Sequence, residues 1–429
     1  MQTPSETNTT LTSRTVVAGT IGNVLEWYDF AIYGFLAPIV GKLFFPSDDP
    51  FTSLLAAFGV LAVGYAARPV GSLLFGYIGD KSGRKPALLL SVILMGASTF
   101  AIGLLPDHSQ IGAAAPVLLI VLRSLQGISV AGEYSDSIVF LGEQAPIARR
   151  GYILSWVAFA SNGGFLFGCG VSAIVSTLLG SDVMDAWGWR IPFLLGAGVA
   201  GIAVFVRRGL VESPVMAQQP QGAPSPITVA LRRDWRLIIR IVFLVTQTAV
   251  GYYIFFIYAA SYLTDRMHFS TTEALNISAL NLLVMVSIAP FAGLAADRLG
   301  RKPLIWFVTT GSLILAWPLW WLMHSENLAV VLAGQLGFSL LNGIGWVVIM
   351  PIMVEMLPAE TRCTTLALGY NLCLGFIGGT TPLVATYLVA RTANDFSPVY
   401  YLMAASILSL VAIRGLREGA RKPLLGSSG

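Results

Sequence analysis

The sequence predicts an all-α membrane protein of twelve transmembrane helices, arranged as two pseudo-symmetric six-helix bundles. Three observations predict it. Of 429 residues, 55% are hydrophobic and only 11% charged, where a soluble domain carries roughly 25% charged residues. Apolar stretches of about 20 residues, each enough to cross the hydrocarbon core as a helix, recur along the whole chain. Finally, two loop motifs of the first half return in the second at almost the same offset, the mark of a duplicated unit.

The stretch 1–15, MQTPSETNTTLTSRT, has no basic region, apolar core or cleavage site of a signal peptide, and reads as a disordered tail. The first span, 16–40, carries Glu26 and Asp29. Each costs about 2.5–3.5 kcal/mol near the bilayer centre, so their presence needs a reason. Asn23, Glu26, Asp29 or Phe30, and Tyr33 recur at spacings of three and four, which places them on one helix face. The second span, 54–79, contains Arg68 and runs into GYIGDKSGRKP at 76–86; the third is 87–105. In the fourth, 114–141, Gln126, Glu133 and Asp136 share a broad face, with Arg123 a turn further outward. Spans 152–178 and 190–206 complete the first bundle, 16–206. The connection 207–237, with its AQQPQGAPSPITVALRRDW, is rich in Pro, Gly and Gln and reads as a flexible linker entering a basic, surface-lying segment.

The second bundle, 238–414, repeats the scheme. Span 238–264 holds Gln247, Tyr252 and Tyr253, and 273–296 runs into GLAADRLGRKP at 293–303. After 304–323, span 328–354 carries Asn342 and Trp346. Span 364–390 carries Tyr370 and Asn371, followed by Gly375, Gly378, Gly379 and Pro382, which loosen it as a gate requires. Span 397–414 leads to a tail at 415–429. The second repeated pair is Glu143-x-x-Pro146-x-x-x-Arg150 and Glu355-x-x-Pro358-x-x-x-Arg362.

Twenty of the 26 Lys and Arg residues fall in the loops and tails of one side and four on the other; the remaining two are Arg68 and Arg123. The bias orients both termini to the cytoplasm of a bacterial-type inner membrane. It also accounts for the net charge of +4 without nucleic-acid binding. Cys169, Cys363 and Cys373 have no metal spacing and read as small packing residues. His108, His268 and His324 lie outside the spans, and no nucleophile–base pair, metal cluster or phosphate loop stands in a fitting context. The chain therefore reads as no enzyme and as needing no cofactor beyond protons.

With GNVLEWYDFAIYG (22–34), ARPVGSLLFGYIGDKSGRK (67–85), RSLQGISVAGEY (123–134), WGWRIPF (187–193) and YNLCLGFIGGTTP (370–382), the chain resembles the major facilitator superfamily. Within it the chain is similar to the metabolite:proton symporter branch of citrate, 2-oxoglutarate, shikimate and proline/betaine carriers. The resemblance covers nearly the whole chain. It implies the major facilitator fold, alternating access, and a cytoplasmic gate in which Gly76, Asp80 and Arg84 form one latch and Gly293, Asp297 and Arg301 the other. Without it, the same charges serve simply to hold the loops in the cytoplasm.

The interior charges carry the mechanism. Glu26, Asp29, Glu133, Asp136, Arg68 and Arg123 would cost on the order of 15–20 kcal/mol unpaired, so they pair or face a wet cavity. Their formal sum of −2 leaves carboxyls available for a proton in one state. A purely structural ion-pair role is the competing reading for each. Asp136 departs from the family pattern, which usually has a small residue there. It fits a cation-tolerant pocket, a second proton site or a salt bridge to Arg149 or Arg150, and it weakens the case for a tricarboxylate. On the other bundle Gln247, Tyr252, Tyr253, Asn342, Trp346, Tyr370 and Asn371 offer amides and aromatic faces suited to a carboxylate and an ammonium group. The function expected is proton-coupled uptake of a small organic acid or zwitterionic metabolite by a monomer. The alternative on the same fold is a proton-driven exporter of amphipathic compounds, against which Arg68 and Arg123 at depth argue.

Overall fold

A computed structural model describes residues 13–212, 225–259, 262–263, 266–269 and 271–425. Twelve long helices run in chain order: α1 (Ser13–Phe44), α2 (Pro50–Lys81), α3 (Arg84–Leu104), α4 (Ala114–Gln144), α5 (Arg150–Val183) and α6 (Arg190–Arg208). The second set is α7 (Trp235–Tyr258), α8 (Thr271–Leu299), α9 (Arg301–Leu322), α10 (Leu328–Glu355), α11 (Ala359–Thr392) and α12 (Ser397–Arg414). Eleven are long and apolar enough to cross a membrane by composition. The twelfth, α1, is the one carrying Glu26 and Asp29.

Most helices overrun the apolar segments by a few residues, because hydropathy registers only the part in hydrocarbon while polar ends continue the helix into water. Ser13–Thr15, assigned to a disordered tail, are the first turn of α1; residues 1–12 lie outside the described part. Arg207 and Arg208, assigned to the linker, close α6. The surface-lying segment is a short helix, Pro226–Arg232, and residues 213–224 of the linker lie outside the description.

The duplication is visible in the packing. In the first bundle α1 packs on α5, α2 on α4, and α3 on both α4 and α6. In the second, α7 packs on α11, α8 on α10, and α9 on both α10 and α12. The bundles meet along a second matched pair, α2 against α11 and α5 against α8. Since lipid tails are as apolar as Leu, such contacts depend on close fit and interhelical hydrogen bonds rather than on expulsion of water. Among the described residues, one-turn π segments stand at Met184–Gly188 after α5, Ile254–Tyr258 in α7 and Leu374–Gly378 in α11. Such bulges place unpaired backbone where a helix has to bend.

Candidate functional site

Four acids were expected in the interior, and the structure divides them into two kinds. Asp29 is fully engaged. Its Oδ2 lies 2.5 Å from Arg123 Nη1, and its Oδ1 accepts from Thr99 Oγ1 at 2.9 Å and Gln126 Nε2 at 2.7 Å. Arg123 in turn donates to Gln126 Oε1 at 2.7 Å and lies 4.1 Å from the Tyr33 ring centre. The cluster ties α1, α3 and α4 together inside one bundle.

Glu133 is engaged as well, with a partner that the sequence reading placed in a loop. Arg207 at the end of α6 turns inward, fully buried, and grips both carboxylate oxygens of Glu133, one of them at 2.7 Å. Ser91 and Ser137 hydroxyls donate to the same carboxylate at 2.7 and 3.2 Å. The remaining donors of Arg207 go to the carbonyls of Ala18, Gly19 and Leu88. The view that Arg68 and Arg123 are the only interior bases is thereby corrected. Arg207 escaped notice because a terminal arginine on a helix reads as a topology signal, and only packing shows which way it points.

Glu26 and Arg68 are different. Both are buried, at 2% and 3% exposure, yet Glu26 Oε2 and Arg68 Nε have no hydrogen-bond partner. Arg68 is the cation whose field reaches Glu26, and its guanidinium carbon sits 4.3 Å from the ring centre of Tyr65 and 5.2 Å from that of Phe30. Around them the aromatic rings close a circle across the two bundles: Phe30 to Trp27 (6.1 Å), Trp27 to Tyr252 (6.0 Å), Tyr252 to Tyr253 (5.7 Å), Tyr253 to Tyr65 (6.4 Å) and Tyr65 back to Phe30 (5.6 Å). A second arc continues from Tyr252 through Trp346 and Tyr370 to Tyr134. Tyr253 donates its hydroxyl to Tyr65 at 2.9 Å, joining α7 to α2. Trp27 Nε1 and Asn342 Oδ1 are further buried polar atoms without partners.

The other amides sit apart from this group. Gln247 bonds Ser312 at 3.0 Å within the second bundle, and its backbone meets Ser409. Asn371 spans the bundles to the Ala131 carbonyl at 3.2 Å. Asn342 donates to the Thr248 carbonyl at 3.0 Å. Phe30 stands on the face expected for it, while Trp27 and Tyr65 are site-lining residues that the sequence reading did not single out. Their spacing from Glu26 and Arg68 along α1 and α2 was the available signal.

On the side of the termini, two matched latches hold the bundles together. Asp80 accepts from the backbone N–H groups of Cys363 (3.0 Å) and Thr364 (2.8 Å) at the start of α11 and pairs with Arg84 at 2.9 Å. Asp297 accepts from Gly151 and Tyr152, both at 2.8 Å, at the start of α5 and pairs with Arg301 at 3.0 Å. Helix N-termini carry unpaired N–H groups and partial positive charge, so a carboxylate there is doubly favoured. The small residues make the approach possible: a Cβ on Gly76 would stand 2.7 Å from Thr364 Cα, and one on Gly293 2.7 Å from the Gly151 carbonyl. The second repeated motif joins the same assembly. Glu143 pairs with Arg84 (3.0 Å) and Arg362 (2.7 Å), and Glu355 with Arg150 (2.9 Å) and Arg301 (3.2 Å).

A third repeat was overlooked, Arg-Gly-Leu-x-Glu at 208–212 and 414–418. Glu212 accepts from the Arg84 and Lys85 N–H groups at 2.9 and 3.2 Å, and Glu418 from those of Arg301 and Lys302 at 3.0 and 2.9 Å. Each caps the third helix of its bundle.

Asp136 forms neither of the salt bridges considered for it. Arg150 is taken by Glu355, and both oxygens of Asp136 are buried without a hydrogen bond.

The Major Facilitator Superfamily profile matches residues 19–382. The chain is 34% identical over 427 residues to the glycine betaine/proline/ectoine/pipecolic acid transporter OusA of Dickeya dadantii, covering 97% of this chain and 85% of that one. The same figures hold for the proline/betaine transporter of Escherichia coli K12. Among solved structures it is similar to the proton:xylose symporter XylE bound to 6-bromo-6-deoxy-D-glucose, with a TM-score of 0.79 at 17% identity over 95% of this chain and 96% of the other. A partially occluded inward-open form of XylE from E. coli gives a TM-score of 0.71 at 18% identity, over 94% and 98%. Two bundles of matched packing, latched by duplicated motifs, and these likenesses place the chain in the Major Facilitator Superfamily as a multi-pass membrane transporter.

Proposed function

We propose that this transporter carries a small zwitterionic or organic-acid osmolyte inward together with a proton. The observation that carries the proposal is that Glu26 and Arg68 are buried without ion-pair partners, with Arg68 against the Phe30 and Tyr65 rings of a circle of aromatic rings formed by both bundles. Arg68 suits a substrate carboxylate, the aromatic faces suit a cationic nitrogen, and Glu26 is the proton carrier. Asp29 and Glu133 have their charges already balanced by Arg123 and Arg207, which assigns them to holding the first bundle. The names of the relatives, proline/betaine transporters, favour a zwitterion as the substrate.

The side of the termini is the cytoplasmic side, as the Lys and Arg bias indicates. The aromatic site is reached alternately from the two faces as the bundles rock about it. The transporter works as a monomer in a bacterial-type inner membrane, with the proton as coupling ion and no further cofactor.

Purified protein in liposomes tests this directly, with radiolabelled proline or glycine betaine. An inward proton gradient is expected to drive accumulation, and a protonophore to abolish it. Glu26→Gln is expected to lose accumulation while retaining exchange of substrate at equal concentrations. Gradient-driven accumulation at the parent rate in Glu26→Gln removes that residue from the coupling. Accumulation indifferent to the gradient removes proton coupling altogether.

A further inference from the structure

Asp136 is unlike every other buried acid near it. It is fully buried on α4, and neither carboxylate oxygen accepts a hydrogen bond. It sits in the latch between the bundles: a Cβ on Gly79 of α2 would stand 3.1 Å from Asp136 Oδ1 and 3.0 Å from Cys363 Sγ of α11. The titratable groups around it are the Cys363 thiol on α11, which faces it as a weak donor, and three charges whose fields reach it, Arg84 at the start of α3, Asp80 on α2 and Glu133 on its own helix.

Each of the charged neighbours is committed elsewhere. Arg84 donates to Gly79 O, Asp80, Glu143 and Ala359 O. Asp80 holds the Cys363 and Thr364 N–H groups. Glu133 is held by Arg207. No cation is left for Asp136 and its one neighbouring donor is the weak Cys363 thiol, so an ionised carboxylate is far costlier in such a site than a protonated one. When α11 separates from α2 and α4, water reaches the carboxyl and the charged form is solvated.

We infer that Asp136 is a second proton-binding site, loaded while the latch is closed and emptied into water on the side of the termini when the latch opens. The proton leaves the carboxyl oxygen for solvent, and it returns from solvent before the bundles reclose. Opening is therefore linked to the release of one proton, so the open form gains with rising pH. The inference depends neither on the substrate nor on the role of Glu26.

Cys363 is a built-in reporter, because it is fully buried in the same latch. In purified protein with Cys169→Ser and Cys373→Ser, the rate of maleimide labelling at Cys363 is measured between about pH 6 and 8.5. The same series is run with Asp136→Asn and with Asp136→Ser added. Thiol ionisation accelerates labelling in all three, and well below the thiol's own value of about 8.5 it leaves the ratio of parent to variant independent of pH. That ratio is expected to rise with pH, by up to about tenfold per unit for one linked proton. A flat ratio with both variants overturns the inference. So does a rise confined to pH near the thiol's own value of about 8.5, which is what an Asp136 ionised throughout and acting only on the thiol would give. Failure of Asp136→Asn to fold also overturns it, because the amide is the neutral isostere of the loaded acid.

Discussion

The four interior acids differ in what surrounds them rather than in depth. Asp29 and Glu133 are each held by an arginine and at least two further donors, whereas Glu26 and Asp136 each keep oxygens without a partner. Breaking a buried pair strands the other charge, at about 3–5 kcal/mol. Glu133→Gln is therefore expected to lower thermal stability markedly in detergent, because Arg207 is left unbalanced. Glu26→Gln is expected to leave stability within about 1 kcal/mol of the parent, since no pair is broken. Thermal denaturation of both variants checks the contrast, and equal losses would contradict the division of roles. Gly22 supports the same point. A Cβ there would fall 2.1 Å from Glu133 Oε1 and 2.7 Å from Arg207 Nη1. Gly22→Ala should cost about 1–3 kcal/mol by overpacking, read as a drop in the same melting curve.

At the scale of the element, the loops joining α2 to α3 and α8 to α9 turn on one glycine each. Gly83 and Gly300 have φ of 116° and 98°, a region costly for any side chain. Gly300→Ala is expected to cost about 1–3 kcal/mol and to loosen the start of α9, which hydrogen exchange at Arg301 and Lys302 would show. The cap on that start, Glu418, lies beyond α12. Its burial pushes the carboxyl up, but backbone N–H groups of Ala420, Lys302 and Arg301 outweigh this and hold it below the usual glutamate range. A depressed folded value means that the cap's contribution is complete above the ordinary glutamate value of about 4.3 and fades as pH falls through the folded one. Limited proteolysis of the tail should therefore be unchanged from neutral pH down to about 5 and accelerate only in stronger acid. Glu418→Gln should be cleaved faster than the parent from neutral pH down to about 5, with the difference closing in stronger acid. The same tail reaches both bundles, through Arg150 to the Lys422 carbonyl at 3.3 Å and Arg362 to the Leu425 carbonyl at 2.8 Å.

At the scale of the whole molecule, closure on the side of the termini rests on two carboxylates that each hold two N–H groups of the opposite bundle. Hydrogen bonds to a charged group are worth about 1.5–3 kcal/mol each. Asp297→Asn replaces one acceptor by a donor facing an N–H, and should shift the closed–open balance toward open. Labelling at Cys363 is expected to rise about tenfold or more, with the rate unchanged if the latch contributes nothing.

The spans and the division into halves were legible in the chain, because hydropathy and repetition are properties of sequence order; the latch reading of the repeated Asp–Arg loops came with the family resemblance. The partner of Glu133 and the isolation of Asp136 were not legible. Arg207 lies 74 positions from Glu133, and its inward turn depends on how α6 packs against α1, α3 and α4. The closed aromatic circle is likewise invisible in one dimension, since Phe30, Tyr65 and Tyr253 come from three helices of two bundles. Composition and repeats alone thus settled that this is a twelve-helix, two-bundle membrane protein with acids inside it. Which of those acids have an arginine partner was decided by packing, because a carboxylate's surroundings depend on donors that the chain brings to it from distant positions.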